Sequence, residues 1–517
     1  MSLDSILSTA AGGLANIDRQ LGIVGQNVSN AGTVGYSREI GTQTSVTAGG
    51  IGMGVRSGLT IRVLNASLQA GVTLQAATVA GLQTRQAALS AIDSVQSATG
   101  QDVGKGQDLA SLVGSLQDSF TTLQGDPASQ PQQSAVAAAA GNLAGQVRAL
   151  ATAVGAARQD AQDGAATEIA SLNAGLSGIG KLSDQIVGLR VAGQSTADLE
   201  NQRDALVGQL AAIVPVRGAT QGNGDLLLVT AGGVTLPIHA ATGPFSLAAA
   251  TVGPGVTYPS AAVPGVMLGN TDVTAQLRAG GASGGGQLGA NLQLRDATLP
   301  AYQGTLDEFA HTLASRFDAQ GLTLFTNSSG TVPAATGGST QAGYVGFANT
   351  IQVNPAISAA PALIRDGTRA VAGSAAGASA FTPNPSRAAG FTGTIVRVLD
   401  FALGAQAQAG VAQPGAAGGG LGPNGDQSSG FTPPAGIGAF AASLVGNMAQ
   451  DSAATTGNLG TEQGLQTSLQ GKLTAADGVS VDAEMSNMLV LQNSYGANAK
   501  VVTAVQSLWT TLLGMVQ

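Results

Sequence analysis

Residues 481–516 read VDAEMSNMLVLQNSYGANAKVVTAVQSLWTTLLGMV. Val481, Met488, Tyr495, Val502, Trp509 and Val516 recur every seven residues, and Leu491, Val505 and Leu512 stand three beyond members of that series. Alternating steps of four and three place apolar side chains along one seam of a helix, the pattern of a coiled coil. A helix with one narrow apolar stripe cannot bury it alone. The question is what covers it.

The other end of the chain carries the same pattern. Leu3, Ala10, Ile17 and Val24 are seven apart, and Leu7, Leu14, Leu21 and Val28 form a second series four residues on. Gly12, Gly13 and Gly22 weaken this helix in isolation, so it too needs a partner. The economical expectation is that the two terminal helices pair and that the middle of the chain is looped out. After Val28 the seam stops in NVSNAGTVGYSRE, residues 27–39. Asn27, Asn30, Gly32 and Gly35 are turn formers suited to a helix stop and a bend, and Tyr36 adds an aromatic ring with a hydroxyl. These five residues read as a hinge, with Tyr36 free to touch its own chain or a neighbour.

Between the ends the pattern changes several times. Residues 40–63 alternate as a strand or hairpin around the glycine-rich 49–54. Helical runs follow at 66–97, 107–124 and 131–213, with Asp126-Pro127 as a break. DLLLVTAGGVTLPI at 225–238 reads as a β-hairpin. A helix over 293–319 carries the stripe Leu299, Tyr302, Leu306, Phe309, Leu313 and Phe317, and 387–405 reads as a short helix. Residues 406–435 are rich in Gly and Pro and read as a loop or mobile segment before helix resumes at about 437. The fold class expected is mainly α with small β elements: an elongated multidomain chain with paired terminal heptad helices and a reduced outer domain. The expected parts are 1–65, 66–320, 321–435 and 436–517.

Composition narrows function. The 517 residues include no cysteine, two histidines (His239 and His311) and only 10% charged residues, with a formal net charge of -8. Disulfide and thiolate chemistry, a histidine metal cluster and a basic nucleic-acid footprint are all excluded or disfavoured. No apolar run reaches the length of a membrane span, and the N-terminus lacks a basic leader, so neither a membrane span nor a cleaved signal is expected. Asp198, Glu200, Arg203 and Asp204 read as a solvated helix face with local ion pairs rather than as acid–base machinery. Both histidines read as structural or surface residues. No catalytic, cofactor or metal residue is expected.

Four stretches together resemble the flagellar axial protein family, and within it the hook-associated junction proteins. Residues 7–39 are similar to the N-terminal helix and following box, with Gln26 where the first Asn is expected and Asn27, Val28, Ser29, Asn30, Gly35 and Tyr36 in place. LENQRDALVGQLAAIVPV at 199–216 resembles the junction members' helix, a segment absent from short rod proteins. Residues 285–320 resemble the family's helix with a glycine- and leucine-rich start running into an Arg-Asp pair, here Arg295-Asp296. Residues 481–515 resemble the C-terminal helix, through Glu484, Leu489, Gln492, Tyr495, Ala497, Ala499, Lys500 and Val501, with Ala483 where a second acid is expected. The resemblance implies a non-enzymatic, exported structural subunit at the extracellular hook–filament junction. It implies self-association in a ring, contact with hook protein and with a second junction protein or flagellin, and an export chaperone on the C-terminal helix. The assembly seam would comprise Leu3, Leu7, Leu14, Ile17, Leu21, Val24, Val28, Val481, Met488, Tyr495, Val502, Trp509 and Leu512. A hook or distal rod subunit, or a secreted adhesin or scaffold, is the alternative.

Overall fold

The two terminal helices pair with each other. Helix α1 (Leu3–Ser29) and the last helix, α9 (Val481–Gly514), form a small apolar cluster of Ile17, Val24 and Leu491 with Leu21, Val28 and Met488 packed against it. Gly13 of α1 stands against Asn498, so rising numbers on α1 meet falling numbers on α9 and the pair is antiparallel. The computed structural model describes residues 3–33, 35–48, 51–97, 108–279, 285–335 and 341–515. Val516, the last member of the heptad, lies outside them.

The chain leaves α1 through a turn into an antiparallel hairpin, β1 (Glu39–Ala48) and β2 (Ile51–Arg62), which packs on α1. Helices α2 (Ala66–Ser97), α3 (Leu109–Gly125), α4 (Gln130–Val191) and α5 (Ala197–Ile213) follow. Asp108 caps α3 by accepting the Ser111 amide at 2.6 Å, and Asp126-Pro127 separates it from α4. The run expected as continuous helix over 131–213 is two helices. Gly193, at φ +65°, ends α4, with its amide on Arg190 O and that of Gln194 on Leu189 O. That pair of bonds is a Schellman stop, which a glycine in the left-handed region permits.

Helix α4 is the spine of the body. Its first part, from Val136 to Ala161, lies in a large apolar cluster shared with α3, α7 (Leu299–Ala319) and α8 (Ile437–Asp477). Its second part, from Ala165 to Ile179, packs with α5, helix α6 (Gly286–Gln293) and a three-stranded sheet of β3 (Val216–Thr220), β4 (Leu226–Thr230) and β5 (Thr235–Leu236). The expected hairpin at 225–238 is therefore the β4–β5 part of that sheet. Between α6 and α7 one π-helical turn, Leu294–Thr298, turns Arg295 fully inward. Its guanidinium grips Asp296, Gln162 Oε1 (2.7 Å) and Pro264 O (3.1 Å), while Arg158 reaches the carbonyls of Arg295, Gly253 and Val256. These two arginines tie the irregular 250–270 stretch to the spine.

Two expectations need correction. Helix α7 is enclosed on nearly every side, not only along its apolar stripe. Its polar residues are buried with partners: Asp307 accepts the amides of Gly346 (2.7 Å) and Ala348 (2.8 Å), and Glu308 accepts Tyr344 Oη and the Ala417 amide, each at 2.7 Å. His311 stacks on the Tyr344 ring at 3.8 Å. The low-complexity 406–435 is also not a loose loop. It folds into two short hairpins, 406–412 and 419–428, with Leu421 fully buried. Gly410, Gly420, Gly422, Gly425 and Gly430 take positive φ, so the glycines that made the stretch look loose are what let it turn tightly. Gln341, itself buried, holds it by donating to Gly304 O (2.6 Å) and accepting from Gly422 N (2.7 Å). Segment 321–435 also supplies Leu322, Phe325, Phe347, Ile364 and Ile395 to the large α3–α4–α7–α8 cluster.

Candidate assembly surface at the paired termini

Helix α1 uses two adjacent faces. Gly13, Ile17, Val24 and Val28 face α9. The other face meets the hairpin: Asn16 Nδ2 donates to Gln43 Oε1 (2.5 Å), Asn16 Oδ1 accepts from Ser57 Oγ (2.9 Å), and Ile23 fills the space left by Gly41. An added β-carbon on Gly41 would stand 3.0 Å from Ile23 Cδ1. Both the hairpin and α9 thus pack on α1.

The positions proposed for the seam separate into three groups. Ile17 and Val24 are buried against Leu491 of α9, which stands outside that set. Leu21, Val28 and Met488 pack against them, and Leu3, Leu7, Leu14 and Val502 are half-buried. Val481, Tyr495, Trp509 and Leu512 are exposed, at 39–51% of their full surface. The positions of α9 that turn most directly to α1 are Glu484, Leu491, Asn498 and Val505, again seven apart. Two of them are polar, which is why an apolar count keeps Leu491 and Val505 and passes over Glu484 and Asn498. Asn498 needs the glycine opposite: a β-carbon on Gly13 would stand 3.2 Å from its Oδ1. Glu484 is 1% exposed and accepts from Arg38 Nε at 2.6 Å.

Arg38 belongs to the hinge, which is tied together from within. Asn27, 1% exposed, donates to Glu39 O (2.9 Å) and accepts from the Glu39 amide (2.9 Å) and Tyr36 Oη (3.0 Å). Asn30 Nδ2 donates back to Gln26 O, closing the end of α1, and its Oδ1 accepts from Thr33 Oγ1. Gly35, at φ +83°, passes close to Ala205 of α5, and Gly32 is exposed with open space around it. Tyr36 thus bonds its own chain. Burial and the nearby charges of Glu39, Asp198 and Glu484 push its hydroxyl pKa well above the usual range.

Three further chain segments converge on this hinge. From α5, Asn201 bonds both backbone groups of Ser37 (3.2 Å each) and the Glu39 carboxylate (3.1 Å). From the end of β2, Arg62 reaches Glu200 (3.1 Å), Asp204 (2.7 Å) and Asn201 (3.2 Å). From the α8–α9 joint, Asp477 accepts the Arg38 amide on its carbonyl and the Asn65 amide on its carboxylate, each at 2.8 Å. Of the four residues expected as a solvated face, Asp198 is exposed and bonds Gln202 one turn on, whereas Glu200, Arg203 and Asp204 are wholly or partly buried. Arg203 is 2% exposed and bonds Gly224 O, and Glu200 also pairs with Arg190 across 3.1 Å. Burial raises the Glu200 pKa, but Thr196, Arg62 and Arg190 outweigh it and leave it lowered. Burial, then Asp198, raises that of Glu39 against the pull of Arg62 and Asn201. Reading α5 as local i,i+4 pairs missed these partners, because Ser37, Glu39 and Arg62 lie more than a hundred residues away and Arg190 and Gly224 lie outside the helix. The signal available was the density of Asn, Asp, Glu and Arg at 198–204.

This is a mechanical arrangement: a helix pair locked to a body through one polar joint. Among the described residues no group of three or more His, Cys, Asp or Glu is placed to hold a metal ion. No described helix is long and apolar enough to cross a membrane. Residues 89–331 match the family described as the flagellar hook-associated protein FlgK helical domain, and 470–515 match the flagellar basal body rod FlgEFG protein C-terminal family. Flagellar hook-associated protein 1 of Salmonella typhimurium is 30% identical over 329 residues, 62% of this chain and 56% of that protein. The chain is homologous to the flagellar hook-associated protein 1 family.

The Escherichia coli member of the hook-associated protein 1 family is 28% identical over the same length. The chain spans just over half the length of the curated relatives it matches. The solved flagellar hook junction protein FlgK from Burkholderia pseudomallei overlaps 52% of this chain and 47% of its own, at 19% identity and a TM-score of 0.39. The two family matches fall on different layers of the molecule. The hook-associated helical domain runs from the end of α2 through α7, and the rod-type C-terminal segment covers the α8–α9 joint and α9.

Proposed function

We propose that this chain is an exported structural subunit of the bacterial flagellum, an adaptor assembled between hook and filament. The observation that carries the reading is the combination in one chain of the hook-associated helical domain over 89–331 with paired terminal helices whose α9 leaves large apolar residues exposed. Met485, Leu489, Val490, Leu508 and Leu513 stand between 43% and 63% exposed. Contiguous apolar surface of this kind is a contact waiting for a partner. In the assembled state the partners are other copies in a ring, hook protein on one side, and a second junction protein or flagellin on the other. Before export, a chaperone covers the same residues of α9 and keeps them from associating early.

The 470–515 match alone would fit a rod or hook subunit equally well. The 89–331 match favours the junction. Gold labelling of the tagged chain on isolated flagella tests the choice. Label at the hook–filament boundary is expected, and label along the hook or in the rod would sink the junction reading. Removing residues 481–517 should abolish both chaperone capture and incorporation while residues 109–448 stay folded.

A further inference from the structure

The β1–β2 hairpin is patterned inside out. A two-stranded sheet on a helix normally turns its apolar side chains to the helix and its polar ones to water. Here Gly41, Gln43 and Ser57 face α1, while Ile40, Val46, Met53, Leu59 and Ile61 are 38–52% exposed. Ile40 and Ile61 are direct cross-strand partners, so they form a patch rather than scattered residues. Packing on α1 does not account for this pattern. It requires something apolar on the outer side.

On the basis of the assembly reading above, we infer that the outer face of this hairpin docks on α9 of a second copy of the chain. The stripe that receives it is Val481, Met485 and Leu489. These residues are 43–57% exposed, follow each other by four along the helix, and lie off the Glu484–Leu491 line that faces α1. Charge selects this half of α9. The exposed cation on the hairpin is Arg56, which has no carboxylate partner among the described residues. Asp482 stands in the first turn of α9, beside the Val481–Leu489 stripe, whereas the later half of the helix carries Lys500. The hairpin and the stripe are different surfaces flanking one α1. Joining one copy's hairpin to the next copy's stripe leaves a free hairpin and a free stripe at the ends. A contact of that heterologous type propagates around a ring or along a helix rather than closing as a dimer.

The chain has no cysteine, so two single substitutions at exposed positions report the contact. Leu59→Cys and Leu489→Cys are co-expressed in place of the natural chain, and intact flagella are treated with a short bis-maleimide. A covalent mixed pair is expected from the co-expressed variants and no pair from either variant alone. Adding Arg56→Asp should abolish the mixed pair, and combining it with Asp482→Arg should restore it. Pairing by Leu59→Cys alone would mean hairpin against hairpin and overturns the inference, as does the absence of the mixed pair while the chain is present in the flagella. Absence of the chain from flagella overturns the assembly reading itself.

Discussion

Arg38 donates from Nε to Glu484 Oε1 across 2.6 Å, joining the turn after the first helix to the first turn of the last, 446 residues away. The carboxylate is buried and the guanidinium is about one-third exposed. The bond therefore fixes the N-terminal end of α9 against the hinge at the place where the helix pair meets the body. Removing Arg38 leaves Glu484 buried without its cation, a change of the kind that costs more than the intact pair contributes.

Arg38→Ala should loosen this end of α9 before it affects the body. Amide hydrogen exchange is expected to speed up over 477–491, with residues in the α3–α4–α7 core unchanged. A uniform response across the chain would mean that the joint and the body unfold as one unit.

Asn27→Ala removes three hydrogen bonds at once and leaves the amide and carbonyl of Glu39 unpaired in a buried place. Each orphaned group costs about 1–3 kcal/mol. The expected readout is faster proteolysis between α1 and β1. Asn27→Asp, which keeps the acceptor but loses the donor and adds charge beside Glu39, should fall on the same side as the alanine. Protection equal to the natural chain in both variants would contradict the hinge geometry.

Arg62 sits between Glu200 and Asp204 with its own side chain 8% exposed. Arg62→Ala leaves Glu200 with Arg190 and Thr196 and Asp204 with Gln69 alone, so the cost falls below the about 3–5 kcal/mol of a fully stranded buried charge. The terminal unit should then separate from α5. Limited proteolysis would release fragments ending near residue 62 while the body stays resistant. Arg62→Lys should restore part of the effect only, because a point cation cannot serve both carboxylates with the guanidinium's fixed fork.

Glu168 on α4 gives the body a pH dependence. Burial pushes its pKa up to about 7 against the opposing hydrogen bond from Asn291. Its Oε2 is buried without a partner, so it can take up the proton without losing a bond. The folded chain thus holds a proton that the unfolded chain releases between the ordinary value of 4.5 and about 7, and stability contributed by this group falls as pH rises through that window. Asp307, also pushed up to about 7 by burial, acts in the same direction. Glu168→Gln should flatten part of this decline, gaining more relative to the natural chain at about pH 8 than at about pH 5 in urea melts. An equal difference at both values would rule out the titration.

Gln341→Ala should release the 419–428 hairpin from α7. Its two bonds, to Gly304 and Gly422, are both buried, while the 406–412 hairpin keeps its own buried bond from Gln320 to Ala407. Faster exchange at residues 417–430 is expected, with the α1–α9 pair untouched.

Spacing alone was enough to read most of the helices and the pairing of the ends. A heptad of apolar residues is a local, periodic signal, and a helix with one stripe has few ways to hide it, so Ile17, Val24 and Leu491 could be placed together from spacing alone. Glycine and proline marked where helices stop, because backbone permissiveness belongs to the residue and not to its neighbours. What only the tertiary structure decided is where polar residues find their partners. Glu484 and Asn498 occupy seam positions that an apolar count skips, since Arg38 and Gly13 make burial there affordable from the far end of the chain. Asn201 and Arg62 lie among residues that looked solvated, and the 406–435 glycines looked loose until Gln341 and Glu308 supplied their hydrogen bonds. The physical reason is the same in each case. A polar side chain can be buried once its bonds are met, and those bonds come from segments a linear reading cannot bring together.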